Sequence, residues 1–414
     1  MLINRKILSQ IYKWLPKKEI IILNGPRQVG KTSLLKLIQQ NLQKKYSKKN
    51  IFYFSLEEVK ILTELNKDPE NITKYILDKN KINFFLIDEI QYLDNPSNFL
   101  KHIYDKYENK IKIITTGSSS LELKAHFQDS LVGRKVSFMI NPLDFEEFLK
   151  FKNFTYLDYL YQDDLPPEIE ELFWQNLEEY LIFGGLPAVT LENDKKIKQK
   201  MLEEYISTYI NKDIRMIGKI SSIAKFNDLV KLLAAQIGNL LNVTEITNTL
   251  GLDRRKILIY LDLLKFTFVL KEINPFAKNI RSQISKMSKI YFFDTGIRNA
   301  ILENFLPLSS RQDQGMLFEN FIFCELRNIF SKISFFRSKS GAEIDFILQK
   351  ENQTTLLEAK YKKLNKKIDE RSLKNFSKKN TISKVVVINL KANFKNELIQ
   401  YLPFRKVLNY FEQN

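Results

Sequence analysis

Residues 25–32 read Gly-Pro-Arg-Gln-Val-Gly-Lys-Thr. They follow a short apolar run, Ile20-Ile21-Ile22-Leu23, and precede a segment with Leu34, Leu35, Leu37 and Ile38 at helical spacing. A strand that turns through two glycines into a helix headed by Lys-Thr has the spacing of a phosphate-binding loop. The glycines let successive backbone N–H groups curl around a phosphate, and the positive end of the helix dipole faces the same point. Gly25, Pro26, Arg27, Gln28, Val29 and Gly30 are therefore expected to line a nucleotide. Lys31 is expected on its β- and γ-phosphates, Thr32 holds Mg²⁺ through its hydroxyl, and Ser33 lies beside them. Only 12 of the 414 residues are glycine, so two at this spacing are not the by-product of a glycine-rich chain.

Further strand-like runs follow at Ile51-Phe52-Tyr53-Phe54, at 83–87 and at 111–114, each trailed by a polar or helical segment. That alternation predicts a parallel sheet with crossover helices. The run at 83–87 ends in Asp88-Glu89, which delivers two carboxylates to the phosphate end of a central strand. Asp88 is expected in the Mg²⁺ shell, and Glu89 orients or deprotonates an attacking water. The run at 111–114 leads into Thr115-Thr116-Gly117-Ser118-Ser119, where Thr116 or Ser118 is placed to sense the γ-phosphate. Arg134, in Val132-Gly133-Arg134, is a candidate arginine finger, acting in cis or, in a homo-oligomer, in trans.

Length and composition fit two or three globular domains, with 44% hydrophobic residues. The net charge of +17 favours polyanionic partners. Yet the 65 basic residues comprise 52 lysines and 13 arginines, in a chain also rich in Asn, Ile and Phe, a mixture that an AT-rich genome imposes on any protein. Charge alone names no partner. One cysteine, Cys324, and two histidines exclude an internal disulfide and cysteine-based zinc. No apolar run approaches the roughly 18 residues that cross a bilayer. The first residues, Met1 to Lys6, lack a secretory apolar stretch, so a cytoplasmic protein without membrane partners is expected.

From 243 to 253 the sequence reads as a helix, a glycine turn at Gly251 and an N-cap at Asp253. A second helix follows, with Ile257, Tyr260, Leu261 and Leu264 on one face. Residues 270–276 suggest a wing. Arg254, Arg255 and Lys256 stand in the first turn of the second helix, where the dipole disfavours cations, and contact with DNA explains them. Docking of a protein partner through the same module explains them too.

Two alternating runs, 341–348 and 356–360, flank a polar turn at 350–353. With period two, Glu358 and Lys360 share a face, and a hairpin in register sets Asp345 beside them. Glu319, on a helix expected over 315–330, has apolar neighbours Met316, Ile322 and Phe323. Such a group suits metal-dependent phosphodiester hydrolysis: Asp345 and Glu358 bind a second Mg²⁺ or Mn²⁺, and Lys360 positions the hydroxide. A buried salt-bridge cluster accounts for the same residues.

With these strings, the chain resembles a widespread archaeal and bacterial family of AAA-type ATPases whose C-terminal domain of unknown function is restriction-endonuclease-like, of the PD-(D/E)XK type. The resemblance rests on residues 25–32, Leu86-Ile87-Asp88-Glu89-Ile90-Gln91, Thr116-Gly117-Ser118-Ser119 and Gly133-Arg134. It continues through Phe145-Glu146-Glu147-Phe148, Gly184-Gly185-Leu186-Pro187, Glu319, 341–346 and 358–360. It implies an α/β protein with a P-loop ATPase core at 1–140 and a helical lid at 141–236. A winged helix-turn-helix module at 237–304 and a restriction-endonuclease-like α/β domain at 305–414 complete it. The resemblance supplies no substrate; the residues themselves lead to the expectation of an ATP-hydrolysing switch acting on DNA or RNA, with ATP and Mg²⁺ as cofactors. Two alternatives stay open: an ATP-regulated metal-dependent nuclease, and a nucleotide-gated adaptor that docks a protein through the winged helix.

Overall fold

The computed structural model describes residues 2–76, 81–117, 131–214, 218, 220, 222–277, 287–338 and 341–412. The chain divides into two compact units. One comprises residues 1–141 with 266–268, and the other 142–265 with 269–414.

In the first unit, largely apolar runs become buried or half-buried strands. They are β1 (Ile20–Asn24), β2 (Ile51–Ser55), β3 (Asn83–Asp88) and β4 (Ile111–Gly117). A fifth strand, β5 (Lys135–Met139), is not among the runs expected from the sequence. It is an edge strand in which Phe138 alone is buried, while Val136 and Met139 are partly or fully exposed. All pairings are parallel, in the order β2-β3-β4-β1-β5. The helices are α1 (Ile7–Tyr12), α2 (Lys31–Gln43), α3 (Val59–Lys67) and α4 (Pro96–Lys106). The apolar stripe of α2 buries Leu34, Leu35, Leu37, Ile38 and Leu42. Because Asn24 pairs with Gly117 and Ile87 with Thr115, the C-terminal ends of β1, β3 and β4 share one edge of the sheet. In an open parallel sheet that edge is where ligands bind.

The second unit opens on α5 (Phe145–Phe151), whose Asp144 cap accepts from Glu147 N–H at 2.8 Å while Glu147 Oε2 accepts from Asp144 N–H at 3.4 Å. Phe145 lies edge-on to Phe321 at 6.0 Å and Phe404 at 5.3 Å between ring centres. The long helix α6 (Pro167–Phe183) ends at Gly184-Gly185. There Gly185 N–H donates to Asp294 Oδ2 at 2.7 Å, and Leu143 N–H donates to the Gly185 carbonyl at 2.8 Å. These bonds give the 145–148 and 184–187 strings structural work as joints of this unit.

Next come α7 (Lys195–Tyr205), α8 (Ile223–Ala235), α9 (Val243–Leu250) and α10 (Arg254–Phe266). The turn between α9 and α10 is at Gly251, which adopts φ 56°. A hairpin of β6 (Leu270–Pro275) and β7 (Lys289–Phe292) follows, then α11 (Thr295–Ile301) and α12 (Gln314–Leu326). An antiparallel meander comes after them: β8 (Lys332–Arg337), β9 (Glu343–Lys350) and β10 (Gln353–Ala359). After α13 (Arg371–Lys379), β11 (Lys384–Asn389) returns parallel to β10. The chain closes with β12 (Phe394–Asn396), β13 (Ile399–Pro403) and α14 (Val407–Glu412).

One sheet holds these strands, in the order β12-β13-β11-β10-β9-β8-β6-β7. Its strands come from both 237–304 and 305–414. The edge of β6 pairs in parallel with β8 at Asn274–Ser334 and Pro275–Phe335, which satisfies two edges that would otherwise be open. Among the described residues, no helix is long and apolar enough to cross a membrane.

Candidate functional site

The turn after β1 needs glycine at its first position. Gly25 adopts φ 152°, and a Cβ there would stand 2.2 Å from the Ile140 carbonyl oxygen. Gly30, at φ 90°, caps α2 in the left-handed region and turns the chain into the helix. Between them Pro26 and Val29 are buried, Arg27 is half-buried and Gln28 is exposed. Lys31 is only 5% exposed, and its ammonium donates to the Gly25 and Pro26 carbonyls at 2.9 and 2.5 Å. Burial pushes its pKa down to about 8, against the pull of Glu89 and Asp88 and with a smaller push from Arg27. Ser33 lies exposed on the first turn of α2.

Asp88, at the end of β3, gathers three hydroxyls. Thr32 Oγ1 donates to its Oδ2 at 2.8 Å, Tyr53 from β2 donates to the same oxygen at 2.9 Å, and Thr116 from β4 donates to Oδ1. The Thr116 hydroxyl also accepts from Glu89 N–H at 2.8 Å. Glu89 itself adopts φ 59°, a left-handed conformation that costs of order 1–3 kcal/mol in a non-glycine residue and recurs at functional sites. Its carboxylate accepts from the Gln91 amide. The Thr32 hydroxyl beside the Asp88 carboxylate is an all-oxygen donor pair that suits Mg²⁺.

The structure thus brings Lys31, Thr32, Asp88, Glu89 and Thr116 to one edge of the sheet. Ser118 lies outside the described residues. Arg134 does not join them. Its carbonyl accepts from Ile20 N–H at 2.8 Å, and its guanidinium holds Asp105, with Nε 2.6 Å from Oδ1. Because Lys135 is paired with Ile20, Arg134 sits at the start of β1, while the loop follows its end five residues on, at roughly 3.3 Å per residue. In this arrangement Arg134 does not reach the loop of its own chain. Tyr53 is an addition that motif spacing does not reveal and arrives through sheet pairing, whereas Gln91 belongs to the 86–91 string and arrives through a local turn.

In the second unit, β9 and β10 pair as far as Leu357 opposite Phe346, and Asp345 and Glu358 are the next residues on the two strands. Ala359 N–H donates to Asp345 Oδ2 at 2.8 Å. Lys360 Nζ lies 2.5 Å from Glu358 Oε2 and 3.6 Å from Asp345 Oδ2. Glu319, on α12, accepts from Lys289 Nζ at 3.1 Å and from the Tyr291 hydroxyl, both carried by β7. Lys289 also pairs with Glu343 at 2.6 Å. Burial, reinforced by the charge of Asp345, raises the pKa of both Glu319 and Glu358. Burial opposes the charge on Lys360, but Asp345 and Glu358 outweigh it and raise its pKa.

Asp345, Glu358 and Lys360 stand together, while Glu319 feels the charge of Asp345 and hydrogen-bonds to Lys289 and Tyr291. As placed, however, they form an ion-paired cluster. Among the described residues no three His, Cys, Asp or Glu side chains form a group that can hold a metal ion. The ammonium of Lys360 stands against Asp345 and Glu358, and that of Lys289 against Glu319 and Glu343.

Arg254, Arg255 and Lys256 are exposed on the first turn of α10, where Arg255 N–H donates to the Asp253 cap at 2.8 Å.

Residues 17–149 match a family described as an AAA domain, and 175–308 and 314–407 match two domains of unknown function, DUF8612 and DUF4143. The chain is 30% identical to the uncharacterized protein MJ1544 of Methanocaldococcus jannaschii, over 98% of this chain and 90% of that one. A second protein of that organism, MJ1637, is 29% identical over 80% of this chain and 73% of its own length. Among solved structures, the Walker-type ATPase PABY2304 of Pyrococcus abyssi covers 73% of this chain and 96% of its own, at 15% identity and a TM-score of 0.49.

Proposed function

The chain belongs to the family of the Methanocaldococcus jannaschii protein MJ1544 and carries an AAA domain at residues 17–149. On that premise we propose that it binds and hydrolyses ATP, as a nucleotide-driven switch acting on nucleic acid. One observation carries the reading: Lys31 buried inside a glycine-bounded turn, with the Thr32 hydroxyl 2.8 Å from Asp88.

Lys31 exchanges the Gly25 and Pro26 carbonyls for the β- and γ-phosphate oxygens. Thr32 and Asp88 hold magnesium, which when bound neutralises charge on the phosphates. Glu89, fixed through its N–H by Thr116, takes the proton of the attacking water. Lys31→Ala is expected to abolish ATP binding, and Glu89→Gln to retain binding while stopping turnover. Unchanged turnover in either variant would overturn the assignment.

For the output, α9, α10 and the β6–β7 hairpin support a winged helix-turn-helix reading, with Arg254, Arg255 and Lys256 set against DNA or RNA phosphates. Binding that ignores salt would favour a protein partner instead.

A second reading concerns the acidic cluster. The chain order α12-β8-β9-β10-α13-β11, with Glu319, Asp345, Glu358 and Lys360 converging, favours a restriction-endonuclease-like domain with a phosphodiester-cleaving centre. Nicking of DNA or RNA in Mn²⁺ that disappears in Asp345→Ala and Lys360→Ala would support cleavage. Absence of nicking would leave the cluster as an ion-paired core.

A further inference from the structure

Arg5 lies upstream of the AAA-matching segment, and no motif includes it. It is nonetheless only 9% exposed, two residues before α1, and both ends of its guanidinium are committed. Nη1 donates to the Val29 carbonyl at 3.1 Å, inside the phosphate loop. Nη2 donates to the Asn141 carbonyl at 3.0 Å. Asn141 is the last residue of the first unit before the chain enters the second at Pro142.

The Val29 carbonyl and the Gly30 N–H belong to one planar trans peptide, so they point in opposite directions. A cation held on the carbonyl side fixes the tilt of that peptide and aims the N–H away from Arg5. It also strengthens the N–H as a donor by polarising the group, as a charged hydrogen bond does. The other end of the loop is tied to the same exit segment without an intermediary. Ile140 N–H donates to the Asn24 carbonyl at 2.7 Å, and the Ile140 carbonyl leaves no room for a Cβ on Gly25. Asn24–Gly25 therefore meets residue 140 directly, and Val29 meets residue 141 through Arg5.

We propose that Arg5 is a positioning residue of the nucleotide site: it presets the Val29–Gly30 peptide for phosphate and couples the loop to the exit segment at 140–141. This rests on the ATP-binding reading above. Lysine would reproduce the link only in part, because a single ammonium nitrogen lacks the two fixed donor positions of the guanidinium fork.

The test uses the full chain as parent, Arg5→Lys and Arg5→Gln. Thermal melting first establishes folding, and a fluorescent ATP analogue then measures affinity. Arg5→Gln is expected to weaken binding by about tenfold or more, the scale of a charged hydrogen bond, with Arg5→Lys between it and the parent. Turnover at saturating ATP should fall less than affinity, because Glu89 and Asp88 are untouched. Free guanidinium ion at millimolar concentration should restore part of the affinity of Arg5→Gln, which a merely structural role would not allow.

Hydrogen exchange supplies a readout on the parent itself: ATP should slow exchange at residues 140–141, and Arg5→Lys should lose that protection at saturating ATP. If Arg5→Gln does not fold, Arg5→Lys and the parent's exchange pattern decide. A folded Arg5→Lys that binds ATP as tightly as the parent and keeps the protection overturns the role of Arg5 alone. A parent without ATP-dependent protection at 140–141 overturns the coupling. A parent that binds no ATP overturns the ATPase reading, and this inference with it.

Discussion

At the scale of single residues, Lys31 is buried and held by two carbonyls of its own loop. Burial brings its pKa to about 8, whereas bound phosphates demand the charged form. Below that pH the free lysine already holds its proton; above it, binding must take one up. Affinity for ATP should therefore fall by up to about tenfold per pH unit above about 8. Calorimetry in buffers of different ionisation enthalpy should register proton uptake there and little below pH 7. Tyr53 poses a different question, since its hydroxyl occupies the Asp88 oxygen that Thr32 also uses. Tyr53→Phe should lower the Mg²⁺ concentration that half-saturates turnover by a few-fold and destabilise the fold by about 1 kcal/mol. A magnesium titration and a denaturant melt measure the two effects. Lys31, Thr32, Asp88 and Glu89 are legible in the sequence because the phosphate chemistry fixes their local spacing. Tyr53 is not, because it reaches Asp88 only through the pairing of β2 with β3, 35 residues away.

At the scale of elements, legibility follows local pattern. The β9–β10 hairpin shows in the sequence as two alternating runs around a polar turn, and its register then sets Asp345 beside Glu358. Glu319 stands out as a carboxylate on an apolar helix face. Its partners Lys289 and Tyr291 come from β7, about 30 residues earlier, and no spacing rule connects them. The edge strand β5 escapes for the converse reason: half-exposed, it carries little apolar signal.

The cluster makes a pH prediction. Glu319 and Glu358 titrate above their ordinary 4.5 when folded, so between that value and neutrality the folded chain holds protons the unfolded chain has lost. Stability then falls as pH rises through this window. Asp345 contributes to both shifts, so Asp345→Asn should flatten the slope. Urea midpoints at pH 5 and pH 8, in parent and variant, measure it, and equal slopes would remove Asp345 as the shared cause. The α5 capping box gives a control outside the cluster. Asp144→Ala should cost about 1 kcal/mol by the same assay, with no change in its pH dependence.

For the whole molecule, the sequence pattern reveals the sheet of the first unit but not the eight-stranded sheet of the second. The join between β6 and β8 links residues 60 apart in parallel, and such pairing leaves no mark on local alternation. Net charge is similarly indirect. A surplus of +17 carried mainly by lysine raises attraction to any polyanion, so nucleic-acid binding alone would not distinguish a docking surface from general basicity. The salt dependence does distinguish them. Each duplex phosphate contact contributes about 0.9 to the slope of log affinity against log salt. If Arg254, Arg255 and Lys256 each meet a phosphate, replacing all three with alanine should reduce that slope by roughly 2.7 and weaken binding most at low salt. The three are exposed, so the variant should melt with the parent. An unchanged slope would assign the attraction to the remaining lysines and leave the start of α10 free for a protein partner.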